Sequence, residues 1–320
     1  MALKVAVQMD PLESINIAGD SSFALMLSAQ ARGHSLFHYT PHDLSYRSGR
    51  VMAQARPVTV QPVVGDHYSF GDRQELDLGA DIDAVLMRQD PPFDMAYITA
   101  THLLELAQRQ GVLVVNDPAE VRNAPEKLFV LEFDRFMPAT LVTRSLDEVR
   151  AFHAQHGEIV IKPLYGNAGA AVFHVAQGDA NLAALVELFS HVWREPFMAQ
   201  QFLPKVTQGD KRIVLVDGEP AGAINRLPKS GEIRSNLAAG GQAHATELSP
   251  REREICAALG PELKRRGLVF VGIDVIDGHL TEINVTSPTG IVAMDRFNGT
   301  DTPSLIWDAI EARRTAQSHG

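Results

Sequence analysis

Cysteine is almost absent from this chain of 320 residues, which contains Cys256 alone. A lone cysteine forms no intrachain disulfide, so we expect a reducing compartment. Cys256 lies at helical spacing from Leu259 and Leu263, which predicts a packing role rather than a nucleophile. No apolar run approaches the ~18 residues that span a membrane, and residues 1–5 lack the features of a signal peptide. The sequence therefore predicts a cytoplasmic protein without a membrane partner.

Positive charge is also scarce, since 29 Lys and Arg face 39 Asp and Glu and the formal net charge is −10. Binding to a phosphate backbone needs a positive face, so we expect no nucleic-acid partner. Neither the Gly-x-Gly-x-x-Gly of a dinucleotide-binding fold nor the Gly-x-x-x-x-Gly-Lys-Ser/Thr of a P-loop is present. His34, His38 and His42 are spaced by four. Pro41 interrupts a predicted strand there, so we expect no metal site at these histidines.

The length predicts two or three domains, because 320 residues are too many for one compact core. Residues 1–122 alternate between strand-like and helix-like segments, which is the βαβ pattern of a parallel sheet covered by helices. Strands are predicted at 3–9, 35–39, 84–88 and 112–116, and helices at 23–32 and 96–110. The segment Arg122-Asn123-Ala124-Pro125 ends this pattern.

The rest of the chain divides into two further predicted domains. Residues 123–202 form a small α+β domain, with predicted strands at 158–164, 172–175 and 197–203. Residues 203–320 contain a predicted hairpin around Asp217-Gly218, a loop over 227–242, a helix over 250–266, and a second hairpin over 268–276 and 280–285.

The strongest chemical signal lies in the second hairpin, where Asp274, Glu282 and Asn284 interrupt apolar runs. Ionised carboxylates in such strands are costly unless a positive partner compensates them. Glu282 and Asn284 are two residues apart and share one face of a strand. Oxygen ligands of this kind suit Mg²⁺ beside phosphate oxygens. The alternative interpretation is a pair of solvated carboxylates at a sheet edge.

A shared metal site makes a demand on the turn of this hairpin. A plain two-residue turn at Asp277-Gly278 sets Asp274 opposite Thr281, and Glu282 then points to the other face. A three-residue connection through His279 sets Asp274 opposite Glu282. We therefore predict an odd-length or bulged hairpin, with Gly278 supplying a positive φ. A plain two-residue hairpin would argue strongly against a shared site.

Basic side chains complete the candidate site. Lys162 ends an apolar strand and is followed by the small residues of 165–171, which let backbone N–H groups approach phosphate oxygens. Lys127 lies near a predicted helix start. Three arginines surround the 227–242 loop and suit carboxylate or phosphate groups: Arg212, Arg226 and Arg234. The alternative for each is a solvated surface charge.

Segments along nearly the whole chain resemble bacterial glutathione synthetases. These are Met9-Asp10-Pro11, Ile15-Asn16-Ile17, 20–24, 88–94, 126–129, Met198-Ala199-Gln200, 209–212, 236–241 and 280–289. The resemblance implies an α/β ATP-grasp fold with a Rossmann-like parallel-sheet N-terminal domain (1–122), a small central α+β lid domain (123–202) and a C-terminal α+β domain (203–320). ATP is expected between the central and C-terminal domains.

The same resemblance implies a role for each motif residue. ATP binding is expected at Lys127, Lys162, Gly166, Asn167, Gly169, Gln200, Gln201, Phe202, Leu203 and Asp210, with Gln200 to Leu203 bordering the adenine and Asp210 near the ribose. Two Mg²⁺, or Mn²⁺ in their place, are expected at Asp274, Glu282 and Asn284. The peptide and acyl phosphate are expected at Arg212, Arg226, Arg234, Asn236, Ser287 and Thr289, with Arg212 stabilising charge during transfer.

Some positions depart from the family pattern. The family often has Asp-Gly-Met-Gly-Gly where this chain has Tyr165-Gly166-Asn167-Ala168-Gly169. Gln89 stands where a lysine is common, and Gly290 where a cysteine can occur. None of these is a proposed metal ligand, so we expect them to affect lid kinetics and ATP affinity rather than the type of reaction.

The implied reaction joins γ-glutamylcysteine and glycine, consumes ATP, and passes through an acyl phosphate. The partners are therefore small molecules. Members of the family are often oligomers, so the resemblance also implies a homo-oligomer, a tetramer or a dimer. Three alternatives stay open from the sequence. They are a related ATP-grasp carboxylate–amine ligase with other substrates, a non-catalytic nucleotide-binding protein, and an interaction module, which leaves the apolar-flanked carboxylates unexplained.

Overall fold

The computed structural model describes residues 2–166, 169–229, 231–232, 234–236 and 240–318. Within these residues the strands form three sheets of eight, four and five strands. Each sheet falls in a different part of the chain, so the three can be described in chain order.

The N-terminal sheet is mixed. Its strands are β1 (Lys4–Gln8), β2 (Ser35–Tyr39), β3 (Leu44–Arg47), β4 (Arg50–Val60), β5 (Tyr68–Phe70), β6 (Gln74–Asp77), β7 (Ala84–Met87) and β8 (Leu113–Val115). β1 pairs in parallel with β2 and β7, and β7 with β8, so the predicted parallel core is confirmed. β3 to β6 were not predicted, and each pairs antiparallel with its neighbour in the sheet. The buried positions of β4 include Ala53 and Ala55, which carry little strand signal.

Helices cover this sheet and begin at acidic caps. They are α1 (Ser21–Ala31), α2 (Leu78–Asp81), α3 (Met95–Gln108) and α4 (Pro118–Asn123). The carboxylates of Asp20 and Asp94 accept hydrogen bonds from the N–H groups of Phe23 and Tyr97, which are free at helix starts. The two predicted helices of this region, at 23–32 and 96–110, are confirmed to within two residues at each end.

The chain next forms α5 (Glu126–Phe129), followed by a 3₁₀ segment at Val130–Phe136. Although these residues begin the predicted central domain, Phe129 and Phe136 lie in the same buried cluster as Ile283 of the C-terminal region. The four-stranded central sheet has the order β11-β10-β12-β9, with β9 (Thr140–Thr143), β10 (Ile159–Pro163), β11 (Phe173–Val175) and β12 (Phe197–Gln201). Two helices, α6 (Leu146–His156) and α7 (Leu182–Val192), pack on it.

The C-terminal sheet is antiparallel and has the order β15-β14-β13-β16-β17. Its strands are β13 (Asp210–Val216), β14 (Glu219–Leu227), β15 (Gln242–Ala245), β16 (Phe270–Ile276) and β17 (His279–Asn284), and its helices are α8 (Pro250–Arg265), α9 (Ile291–Asn298) and α10 (Thr302–Ser318). Asp217 and Gly218 have positive φ angles of 49° and 84°, as a primed two-residue hairpin turn requires. The first predicted hairpin is therefore confirmed.

Two of the three apolar clusters join the N-terminal and C-terminal sheets. Val85 and Ile273 share one of these clusters, and Val7 and Val214 share the other. The buried amide of Asn116 also bonds the carbonyl groups of Phe270 and Val285 at 2.8 and 3.0 Å. The central sheet has a separate cluster of its own. None of the described helices combines the length and apolarity needed to cross a bilayer.

Candidate active site

A cavity of about 460 Å³ is lined by residues of all three regions. Its volume falls within the ~300–1,000 Å³ of small-molecule sites. Every predicted site residue that the structure describes lines it: Lys127, Lys162, Gly166, Gly169, Gln200, Gln201, Phe202, Leu203, Asp210, Arg212, Arg226, Arg234, Asn236, Asp274, Glu282, Asn284, Ser287 and Thr289. Asn167 lies outside the described residues.

The hairpin of β16 and β17 places the two candidate carboxylates together by a bulge. Its turn has two residues, because Ile276 pairs with His279, so of the two predicted forms the bulged hairpin is observed and the odd-length one is not. The register then shifts after Leu280 and sets Asp274 opposite Glu282, as the predicted bulge requires. The extra residue is Thr281, whose hydroxyl donates to the Asp274 carbonyl at 3.1 Å.

Asp274 lies between two guanidinium groups. Nε and Nη2 of Arg212 donate to its two carboxylate oxygens at 2.6 and 2.8 Å, and Nη2 of Arg226 lies 2.9 Å from Oδ1. The Asn284 amide donates to Oδ2 at 3.4 Å. Burial alone raises the pKa of Asp274, but the two arginines outweigh it and hold the pKa below its usual range. The side chain is therefore an anion at neutral pH.

Glu282 faces two ammonium groups instead. Its Oε1 lies 3.4 Å from Nζ of Lys127 and 3.7 Å from Nζ of Lys162. Burial raises the pKa of Glu282, and the two lysines more than reverse this. Burial also lowers the pKa of Lys162, which the Glu282 charge offsets only in part. Both ammonium groups line the cavity, where they can meet phosphate oxygens.

Glu126 belongs to the same group, although the sequence analysis did not select it. Its carboxylate contacts Nζ of Lys127, which also donates to the Gly166 carbonyl at 2.8 Å. Burial raises the pKa of Glu126 to about 7, against the effect of Lys127 and with the help of Glu282. The signal available in the sequence was its position beside Lys127 at a predicted helix start.

Strand register extends the charged group to Asp210. Asp210 pairs with Arg226 across β13 and β14, just as Arg212 pairs with Asp274 across β13 and β16. The Asp210 carboxylate accepts hydrogen bonds from Arg226 and from the Ser235 hydroxyl, the latter at 2.7 Å. Its Oδ1 is buried and has no hydrogen-bond partner within the described residues, although the residue itself lines the cavity.

One wall of the cavity is apolar. Four apolar side chains line it at the end of β12 and nearby: Val160, Val172, Leu203 and Ile276. Nε2 of Gln200 donates to the Thr140 hydroxyl at 3.0 Å, which fixes this buried amide within the central sheet. Phe202 lies 4.1 Å from the His174 ring, centroid to centroid. An apolar slot of this kind can accept a flat heteroaromatic base.

The cavity lining also includes Ser287 and Thr289, in the loop after β17. Buried Arg88 anchors this loop, since Nη2 donates to the Pro288 carbonyl at 2.9 Å and Nε to the Ser22 hydroxyl at 2.9 Å. The Ser287 hydroxyl in turn donates to the Arg88 carbonyl at 3.1 Å. The sequence analysis did not select Arg88 as a site residue. Its role depends on contacts about 200 positions away, which no local pattern shows.

The oxygen donors fit a divalent cation that shares its ligands with phosphate. Two carboxylates and one amide face a common space at Asp274, Glu282 and Asn284. Within the described residues no group of three or more His, Cys, Asp or Glu is arranged to enclose a metal. Such a donor set suits Mg²⁺, which takes one or two carboxylates and completes its coordination with water and phosphate oxygens.

Two family models match the chain. The prokaryotic glutathione synthetase N-terminal domain matches residues 3–122, and the prokaryotic glutathione synthetase ATP-grasp domain matches residues 126–299. The glutathione synthetase of Rhodopseudomonas palustris is 59% identical over 98% of this chain and 100% of its own. That of Brucella melitensis is 57% identical over the same shares.

Solved structures support the fold. D-cycloserine synthetase DcsG has a TM-score of 0.69 at 16% identity, over 97% of this chain and 99% of its own. The ATP-grasp ligase PsnB, complexed with minimal precursor, has a TM-score of 0.65 at 20% identity, over 98% of this chain and 100% of its own. These neighbours confirm the expected ATP-grasp fold, and the two family models together cover nearly the whole chain. The chain belongs to the prokaryotic glutathione synthetase family.

Proposed function

We propose that this chain is a glutathione synthetase that joins γ-glutamylcysteine to glycine and converts ATP to ADP and phosphate. The observation that carries the proposal is the meeting of Asp274, Glu282 and Asn284 with Lys127 and Lys162 in one cavity. Sequence identities of 59% and 57% to glutathione synthetases, each over 98% of this chain, support these substrates over those of other ATP-grasp ligases.

The first chemical task is to make a carboxylate reactive toward an amine. Oxide is a very poor leaving group, so the γ-phosphoryl group of ATP is transferred to the dipeptide carboxylate and gives an acyl phosphate. Lys127 and Lys162 neutralise charge on the phosphates. Asp274, Glu282 and Asn284 would hold a divalent cation, which would supply Lewis-acid stabilisation of phosphate oxygens. We propose two Mg²⁺, with Mn²⁺ able to replace them.

The second task is to present the acyl phosphate to glycine. The glycine amine attacks the acyl carbon, phosphate leaves, and the peptide bond forms. Alignment of the two reactants can supply about 7–11 kcal/mol of the required rate enhancement. We propose that Arg212 stabilises the charge at transfer, and that Arg226, Arg234 and Asn236 hold substrate groups together with Ser287 and Thr289.

The nucleotide occupies the other half of the cavity in this proposal. The adenine lies against the apolar wall at the end of β12, bordered by Gln200, Gln201, Phe202 and Leu203. The ribose lies near Asp210, and the phosphates lie near Gly166 and Gly169. In this proposal the chain has three domains, 1–122, 123–202 and 203–320, and ATP lies between the second and the third.

The experiment combines purified protein with Mg-ATP, γ-glutamylcysteine and glycine and measures ADP and tripeptide. ADP release is expected to need the dipeptide, and tripeptide formation to need all three substrates. Panels of other acids and amines at equal concentration provide the control. Faster ligation of another pair would reject these substrates and leave the ligase chemistry standing, whereas no ADP with any pair would reject a ligase.

The assembly and the location of the protein are also proposals. We propose a cytoplasmic homo-oligomer, a dimer or a tetramer. The helix α7 supports an interface because Leu188 and Val192 are exposed, at 48% and 58%, on a face one turn apart. Light scattering after gel filtration gives the mass directly. A single species at 34.9 kDa would reject an oligomer.

A further inference from the structure

The central sheet turns one face to its helices and the other to the cavity. Ile159, Ile161 and Val175 belong to the apolar cluster that the sheet forms with α6 and α7. Val160 lies between the first two residues in β10 and lines the cavity, as Gln200 of β12 does. Successive side chains of a strand point to opposite faces. Val160 and Gln200 therefore mark the face of the sheet that meets the cavity.

Strand register places His174 on this same face. His174 lies directly opposite Val160 across β11 and β10, and Val160 lies opposite Gln200 across β10 and β12. Directly opposite residues of neighbouring strands have side chains on one face of the sheet. Among the described residues that line the cavity His174 is not included. It therefore stands beside the cavity wall, on the edge strand of the sheet.

His174 contacts a residue that does line the cavity. Its ring packs on the ring of Phe202, with centroids 4.1 Å apart and planes inclined by 34°. The backbone N–H of Phe202 donates to the Glu158 carbonyl at 3.0 Å. The Glu158 carboxylate lies 2.6 Å from Nε2 of His174. Glu158 thus holds the backbone of Phe202 through its main chain and the ring of His174 through its side chain.

We propose that His174 is a positioning residue for the nucleotide, whose ring holds Phe202 in place at the end of β12. The inference rests on the proposed function, in which Phe202 borders the adenine. A ring packed on Phe202 restricts its motion in the free protein, so less ordering is needed when the base binds. An aromatic contact of this kind contributes the equivalent of about two- to tenfold in a binding constant.

The proposed role concerns the base of the nucleotide and not its phosphates. The His174 side chain contacts Phe202 and Glu158. The phosphates are assigned to Lys127 and Lys162 in the proposed function. His174 should therefore affect the affinity for a ligand that carries adenine, and it should not affect the affinity for a ligand made of phosphates alone. Turnover at saturating ATP should also stay unchanged, because the acyl phosphate forms at the other end of the nucleotide.

The test measures the dissociation constants of ADP and of inorganic triphosphate, both with Mg²⁺, by isothermal titration calorimetry. His174→Ala should weaken ADP binding about two- to tenfold and leave triphosphate binding unchanged. In the ligation assay it should raise KM for ATP without lowering kcat. His174→Phe keeps a flat ring and should restore ADP affinity. Glu158→Ala should weaken ADP binding less than His174→Ala, because an exposed ion pair contributes little by itself.

The central domain offers a matched control for these variants. His191 and Glu187 form a second histidine–glutamate pair, on α7, with Nε2 and Oε1 3.6 Å apart and both side chains exposed. His191→Ala removes an imidazole and a carboxylate contact from the same domain. It should leave ADP affinity, triphosphate affinity and KM for ATP at their wild-type values.

Three outcomes would overturn the proposal. They are unchanged ADP affinity in His174→Ala, equal weakening of ADP and triphosphate binding, and failure of His174→Phe to restore ADP affinity. Thermal unfolding of each variant identifies a general loss of structure. His174→Thr also lacks a ring and suits a strand, so it replaces His174→Ala if the latter does not fold. If wild type binds no ADP, the proposed function fails instead, which is a separate result from a failed role of His174.

Discussion

The buried ion pair between Arg212 and Asp274 allows a quantitative test of how the site is held together. Both residues are less than a tenth exposed, and two hydrogen bonds of 2.6 and 2.8 Å join them. Arg212→Ala leaves a buried carboxylate that keeps its contact with Arg226 at 2.9 Å. Removing one partner of a buried pair costs about 3–5 kcal/mol, and the remaining arginine places the expected loss near the lower end, at about 3 kcal/mol.

Urea unfolding monitored by circular dichroism measures this loss. It is applied to wild type, Arg212→Ala, Asp274→Ala and the double variant. The double variant removes both charges, so its loss should be smaller than the sum of the two single losses. The matched control is Lys205→Ala, which breaks an exposed pair with Asp277 of similar length, 2.7 Å. An exposed pair contributes about 0–1 kcal/mol.

Turnover provides a second readout on the same proteins. Arg212→Ala is expected to lower kcat by orders of magnitude in the absence of urea, a condition in which the variant is still folded. The reasoning would be refuted if Arg212→Ala had the same midpoint of urea unfolding as wild type and if its stability loss simply added to that of Asp274→Ala. Unchanged kcat and KM would separately rule out the catalytic role of Arg212.

Glu282→Gln removes a charge but keeps the shape of the side chain, and we expect at least a hundredfold loss of turnover at ordinary Mg²⁺ concentration. Titration of ADP release with Mg²⁺ measures this loss, and normal activity would contradict the metal assignment. Gly218→Ala should cost about 1–3 kcal/mol in urea unfolding, because the residue has a φ of 84° and the new Cβ would stand 2.5 Å from the Gly260 carbonyl oxygen. His34 accepts the Leu3 N–H at Nδ1, and burial lowers its pKa despite Glu311. Its stabilising contribution is therefore complete above pH 6.5 and is lost as the pH falls through the lowered pKa of the folded state. His34→Gln should therefore weaken the pH dependence of the unfolding free energy between pH 7 and 5.

Much of the fold and of the site could be predicted because the signals are local. Acidic caps and Gly-containing turns act within a few residues, so α1, α3 and the hairpin at Asp217-Gly218 were predicted correctly. The strands β3 to β6 were missed, and in β4 the buried positions include Ala53 and Ala55, small residues that carry a weak strand signal. The candidate residues were found through motif resemblance, and their convergence on one cavity is a property of the folded chain.

The sequence by itself determined the family, the run of local elements and the identity of the oxygen and nitrogen groups that can serve ATP chemistry. Only the tertiary structure decided which charge faces which, because register places Arg212 beside Asp274 across 62 positions and a bulge at Thr281 turns Glu282 to the same face. The contacts of Arg88 with Pro288 and of His174 with Phe202 have the same origin. Short-range propensities act along the chain, whereas pairing of distant side chains depends on how the sheets pack.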